Sequence, residues 1–119
     1  MEPTALIIDD HADFRAQAAA LLRTSGYEVV GSCPDGRSAV TAISALHPDV
    51  VLLDVQLPDI DGFSLIAQLD AVSEGATIVL VSTREAADYG GRVARSGAAG
   101  FICKAELSAQ SLANVVSRR

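Results

Sequence analysis

Four places in this chain set a reactive side chain directly behind a short aliphatic run. Asp9 and Asp10 follow Ala5-Leu6-Ile7-Ile8, and Asp54 follows Val50-Val51-Leu52-Leu53. Ser82 and Thr83 follow Ile78-Val79-Leu80-Val81, and Lys104 follows Gly100-Phe101-Ile102-Cys103. Each has a plain role when taken singly: Asp10 as a helix N-cap, Asp54 as a loop acid, Ser82 and Thr83 as caps of a following helix, Lys104 as a solvated charge. Taken together they have a chemistry. Three carboxylates gathered in one place repel and cannot all stay ionised without a cation. A few oxygen ligands that leave room for water suit magnesium better than zinc.

Those side chains meet only if the runs behind them are strands of one parallel sheet. The runs are of strand length and lack alternation, as in strands buried on both faces. A fifth run, Tyr27-Glu28-Val29-Val30, carries a charge and reads as an edge strand. Between the runs, residues at helical spacing form apolar stripes. These are Phe14, Ala18, Leu21 and Leu22; Val40, Ile43 and Leu46; Phe63, Ile66 and Leu69; and Leu112, Val115 and Val116. Gly26 is placed to stop the first helix, His47-Pro48 marks the exit of the second, and Gly62 and Gly97 sit at junctions. Ser108 is placed to cap the last helix, with Leu107 and Leu112 as its hydrophobic staple. The stretch from Glu85 to Ser96 contains Gly90 and Gly91, each costing a helix about 1 kcal/mol relative to Ala, so a helix there is expected to be short or mobile. Alternating strands and helices predict an α/β fold with right-handed crossovers and helices on both faces of a parallel sheet. In such a sheet the carboxyl ends of the strands share one edge, and ligands bind there.

Composition narrows the function. A chain of 119 residues, 50% hydrophobic and 20% charged, fits a single globular domain spanning 1–119. With 9 basic against 15 acidic residues the net charge is -6, so no broad basic field exists for a phosphate backbone and nucleic-acid binding by this segment is disfavoured. No apolar run approaches the roughly 20 residues of a membrane span, and the start lacks a signal peptide's pattern, so a cytoplasmic protein is expected. Cys33 and Cys103 are read as reduced, and Cys103, which follows an apolar pair, as a packing residue.

The segments Ile7-Ile8-Asp9-Asp10, Leu52-Leu53-Asp54-Val55-Gln56-Leu57-Pro58-Asp59-Ile60-Asp61-Gly62, Ser82-Thr83 and Gly97-Ala98-Ala99-Gly100-Phe101-Ile102-Cys103-Lys104 carry a family pattern. Over essentially its whole length the chain resembles the receiver domain of bacterial response regulators, the CheY-like family. The most specific part is D-x-x-x-P-x-x-x-G behind a buried strand, with the lysine downstream. The resemblance implies a flavodoxin-like, doubly wound sheet of five parallel strands in the order 2-1-3-4-5. It implies that Asp54 is the phosphoacceptor, and that Asp9 and Asp10 hold Mg2+, Asp10 more directly, with the backbone carbonyl of Gln56. It makes Ser82 the phosphate-sensing hydroxyl, with Thr83, one residue late, as second choice. Lys104 is then the partner of the phosphoryl group and Phe101 the aromatic switch. The implied function is to accept a phosphoryl group from a histidine kinase or phosphotransfer protein and to change conformation, without turnover of an external substrate. A homodimer through the last two helices is the family's usual assembly.

The physical logic agrees with those roles. A carboxylate is a weak nucleophile, and its attack on phosphorus needs cations to offset repulsion between anionic reactants. Several residues depart from the pattern or lie outside it. Ala105 follows Lys104 where the family commonly has proline. Arg84 either pairs with the phosphoryl group or is a solvated charge. Asp59 and Asp61 are expected in a solvated turn whose backbone Pro58 fixes, and His11 on the first turn of a helix, facing water. An aspartate-nucleophile phosphatase of the haloacid dehalogenase type is a rival, but it needs a second acid where this chain has Gln56. A receiver-like interaction module that is never phosphorylated is another, opposed by the intact set Asp9, Asp10, Asp54, Ser82 and Lys104. Many relatives continue into a DNA-binding domain; here the sequence stops at Ser117-Arg118-Arg119, as a stand-alone or an excised receiver.

Overall fold

In chain order the elements are β1 (Thr4–Ile8), α1 (Ala12–Thr24), β2 (Glu28–Cys33), α2 (Gly36–Leu46), β3 (Val50–Asp54), α3 (Gly62–Leu69) and β4 (Thr77–Ser82). A 3₁₀ turn (Ala86–Tyr89), α4 (Arg92–Arg95), β5 (Gly100–Cys103), a second 3₁₀ turn (Lys104–Glu106) and α5 (Ala109–Ser117) follow. This computed structural model describes residues 2–69 and 75–117. The five strands form one sheet in the order β2-β1-β3-β4-β5, and every pairing is parallel. β2 lies at an edge, where Glu28 reaches water. It runs three residues past its aliphatic run: after a register shift between Ala5 and Leu6, Gly31, Ser32 and Cys33 pair with Leu6, Ile7 and Ile8.

Side chains alternate between two apolar layers, one on each face of the sheet. Leu6, Ile8, Val51, Leu53, Ile78 and Leu80 pack with Ala39 and Ile43 of α2 and with Leu65, Ile66 and Leu69 of α3. Ala5, Ile7, Val50, Leu52, Val79, Val81 and Ile102 pack with Ala18 and Leu22 of α1 and with Leu112 and Val115 of α5. The central strands are therefore aliphatic between their end residues, which explains the missing alternation. Leu46 is a correction: it is 43% exposed, because α2 ends over the edge strand, where little of the sheet remains to cover it. At α5 the expected start is present. Ser108 Oγ accepts a hydrogen bond from the Ser111 amide at 3.0 Å, and Leu107 and Leu112 belong to one apolar layer. The stretch from Glu85 to Ser96 is indeed short of helix, with one 3₁₀ turn and a single α turn.

Asp59 and Asp61 are exposed, as expected of a solvated turn, but each also caps a helix. Asp59 Oδ1 and Oδ2 accept from the Gly36 and Arg37 amides at 2.9 and 3.0 Å, so the loop after β3 caps the start of α2. Its carboxyl is held below the usual range, first by the Gly36 amide. Asp35 caps the same helix through the Ser38 amide at 2.8 Å. Asp61 accepts from the Ser64 amide at 2.9 Å and so caps α3.

Candidate functional site

Parallel pairing brings the polar strand ends together. Asp9 leaves the end of β1, Asp54 ends β3, Ser82 ends β4, and Lys104 follows β5. Asp9, Asp54 and Ser82 are 0%, 3% and 1% exposed, whereas Asp10 points to solvent. Lys104 Nζ joins two of the acids, lying 2.5 Å from Asp9 Oδ2 and 3.4 Å from Asp54 Oδ2. Its ammonium also sits 4.4 Å from the centre of the Phe14 ring on α1, which fixes the side chain by a cation–π contact. Asp54 Oδ1 accepts from the Gln56 amide at 3.1 Å, so the loop after the strand curls back over the carboxylate. Gly62 makes that curl possible. Its amide donates to the Val55 carbonyl at 2.6 Å, and a Cβ there would lie 2.8 Å from the Asp54 carbonyl oxygen and 2.9 Å from Val55 Cα.

His11 faces water as expected, its side chain 63% exposed, but it also meets the acids. It occupies the N-cap position of α1, and its Nδ1 lies 2.9 Å from Asp9 Oδ1 and 3.1 Å from Asp10 Oδ1, so the ring turns toward the acids. The His11 amide donates to Asp9 Oδ1 at 2.8 Å, a tight turn that sets both groups side by side. Burial pushes the Asp54 carboxyl up to about 6 and the charge of Asp9 adds to the rise, while the Gln56 amide and Lys104 oppose it. A shallow cleft of about 420 Å³ opens beside this group, lined by His11, Phe14, Gln17, Thr83 and Lys104 among others.

The family model described as the response regulator receiver domain matches residues 5–117. This chain belongs to that family. The receiver domain is 36% identical over 106 residues to the Fimbriae Z protein of Salmonella typhimurium, covering 87% of this chain and 50% of that protein. It is 34% identical over 102 residues to the DNA-binding transcriptional activator EvgA of Escherichia coli, covering 86% of this chain and 50% of EvgA. The chain thus spans about half the length of the curated relatives it matches. Among solved structures, the signal receiver domain of the response regulator NarL from Mycobacterium tuberculosis superposes with a TM-score of 0.85 at 29% identity, over 98% of this chain and 94% of that one.

In this receiver domain the donor set fits a hard divalent cation. Asp9, Asp10, His11 and Asp54 present ligand atoms all within 4.8 Å of one another, three of them carboxylate oxygens. Asp9 Oδ2 supplies a second sign: it is buried, and among the described residues the Lys104 ammonium is all that compensates it. Ser82 is the hydroxyl of the pair that turns inward, and Thr83 is exposed. Arg84 is exposed, and its amide donates to Ser82 Oγ at 3.1 Å. The site also contains a residue that sequence spacing did not reveal. Tyr89 Oη lies 2.7 Å from Ser82 Oγ, and its ring packs 5.9 Å from that of half-buried Phe101. The only advance signal was that Tyr89 is the one aromatic in a glycine-weakened stretch.

Proposed function

We propose that this receiver domain accepts a phosphoryl group on Asp54 from a histidine kinase or phosphotransfer protein and converts that event into a change at the β4–β5 side of the sheet. The carrying observation is a buried carboxylate at a strand end, basic for its type and held by one lysine that also holds a second buried acid. A carboxylate oxygen of Asp54 attacks phosphorus. As that bond forms, the bond from phosphorus to the donor nitrogen breaks, and its electron pair stays on the departing imidazole. A carboxyl near 6 remains ionised at neutral pH and is a stronger base than an ordinary aspartate, which favours attack. Lys104 needs only to exchange a carboxylate oxygen for a phosphoryl oxygen. Ser82 donates its hydroxyl proton to another, and Phe101 responds to its movement. Mg2+, held by Asp9, Asp10, Asp54 and the Gln56 carbonyl, supplies charge neutralisation when bound.

This reading needs no external substrate and places the domain in the cytoplasm with its donor; among the described residues no helix is long and apolar enough to cross a membrane. A second copy would dock across α4 and α5, and any output domain would lie outside these residues. The test is the intact mass after treatment with acetyl phosphate and magnesium. One phosphoryl group should be added to the wild type and none to Asp54→Asn. Undiminished modification of the variant moves the acceptor elsewhere, Asp59 first. Turnover of phosphate esters favours the phosphatase, and an unmodified wild type favours the interaction module.

A further inference from the structure

We propose that Tyr89 is a positioning residue for Ser82: in the resting domain its phenol latches the Ser82 hydroxyl, and a phosphoryl group on Asp54 recruits that hydroxyl only by breaking the latch. The inference rests on the phosphoacceptor reading and extends it to a residue outside the strand-end set. A serine hydroxyl has one proton and two lone pairs. In Ser82 the Arg84 amide occupies one lone pair at 3.1 Å, and in the 2.7 Å bond to Tyr89 Oη, where either oxygen can donate, the latched arrangement is the one in which Ser82 gives its single proton to the phenol. The two bonds together fix the direction of Oγ. A phosphoryl oxygen on β3 requires the single proton to face the neighbouring strand instead.

The phenol is held by more than that bond. Its ring lies edge-on to Phe63 at 5.4 Å and tilted against Phe101 at 5.9 Å, so three half-buried rings bridge α3 to β5. Phe101 carries no hydroxyl and cannot bond Ser82 itself, and Tyr27, the other of the two tyrosines, packs on the opposite face of the sheet. Tyr89 is therefore the group through which Ser82 and Phe101 communicate. It also sits where the backbone can yield. It ends a 3₁₀ turn and is followed by Gly90 at φ +57°, with open space where a Cβ would stand. Beyond the glycines, Arg92 stacks on Phe63 at 4.5 Å and pairs with Asp61 at 3.4 Å. Releasing Tyr89 thus frees the 3₁₀ turn from Phe101 on β5, while Arg92 keeps the following turn tied to Phe63 and Asp61.

Tyr89→Phe removes the hydroxyl and keeps the ring. Losing one hydrogen bond that favours the resting state should tighten binding of beryllofluoride with magnesium about five-fold and lower the melting temperature of the unliganded domain by a few degrees. In a Ser82→Ala background the same substitution should have no effect on that affinity. With only two tyrosines, the ring signal of Tyr89 in a tyrosine-labelled NMR spectrum is assigned by its loss in Tyr89→Phe. It should shift on beryllofluoride binding in the wild type and stay in place in Ser82→Ala. Unchanged or weaker binding by Tyr89→Phe overturns the latch, and so does an effect that persists without Ser82, since that would be packing. A wild type that binds no beryllofluoride overturns the phosphoacceptor reading and the latch with it.

Discussion

Replacing the central acid by its amide should stabilise the resting domain, although the residue is buried and ion-paired. Asp54 stands at about 6 in the folded protein against 3.8 for an ordinary aspartate. About two units at 1.36 kcal/mol each cap the effect near 3 kcal/mol, and solvent at the open side of the site reduces the expectation to about 1–2 kcal/mol. The sign follows from proton counting. Below pH about 4 the group is protonated whether the chain is folded or not, and no penalty exists. Between about 4 and 6 the unfolded chain releases the proton while the folded one keeps it, so stability falls as pH rises. Above about 6 the penalty is constant. Asp54→Asn removes it, and in EDTA at pH 7.5 the variant should resist urea by about 1–2 kcal/mol more and melt several degrees higher. The two proteins should converge near pH 4. A variant less stable than wild type at pH 7.5, or an equal offset at both pH values, would refute the argument that an under-neutralised carboxylate is buried there.

Magnesium at 100 times its dissociation constant should add about 2.7 kcal/mol to wild-type stability, and the same titration of Asp10→Ala should be nearly flat; equal responses would dissolve the assigned cation site. Gly62→Ala must force its methyl against the Asp54 carbonyl oxygen, 2.8 Å from the Cβ position, and should cost about 1–3 kcal/mol in urea denaturation, a neutral result counting against the tight curl. Asp59→Ala should speed hydrogen exchange at the Gly36 and Arg37 amides and leave the amides of α5 unchanged; uniform exchange would show that the cap does not hold α2.

The strands could be read from the sequence because β1, β3 and β4 are buried on both faces, and only uninterrupted Ile, Leu and Val meet that demand. The site was legible for the same reason: its polar members stand out where each run stops. The end of β2 was hidden, since Gly31 and Ser32 have no strand character of their own and pair through β1. Leu46 misled because helical spacing tells which face a residue shares but not whether the sheet extends beneath it. The cap made by Asp59 joins residues 22 and 23 apart in sequence, a relation that no local pattern encodes. His11 was read as a first-turn residue facing water; it does face water, but from the N-cap position, where its amide and ring also meet Asp9. Tyr89 reaches Ser82 across seven residues only because a 3₁₀ turn folds that segment back.

Lys104 belongs to the margin of the sheet, yet its charge is used at the centre. β5 has four residues and pairs with β4 alone, the arrangement most prone to fray. The ammonium that follows it reaches across β4 to an acid 50 residues earlier on β3. Local opening of the edge and the acidity of the middle strand are thereby one equilibrium. Any partner that lifts β5 or α5 from the sheet would raise the proton affinity of Asp54 without touching it, and any event that neutralises Asp54 would loosen the tie that keeps the edge closed.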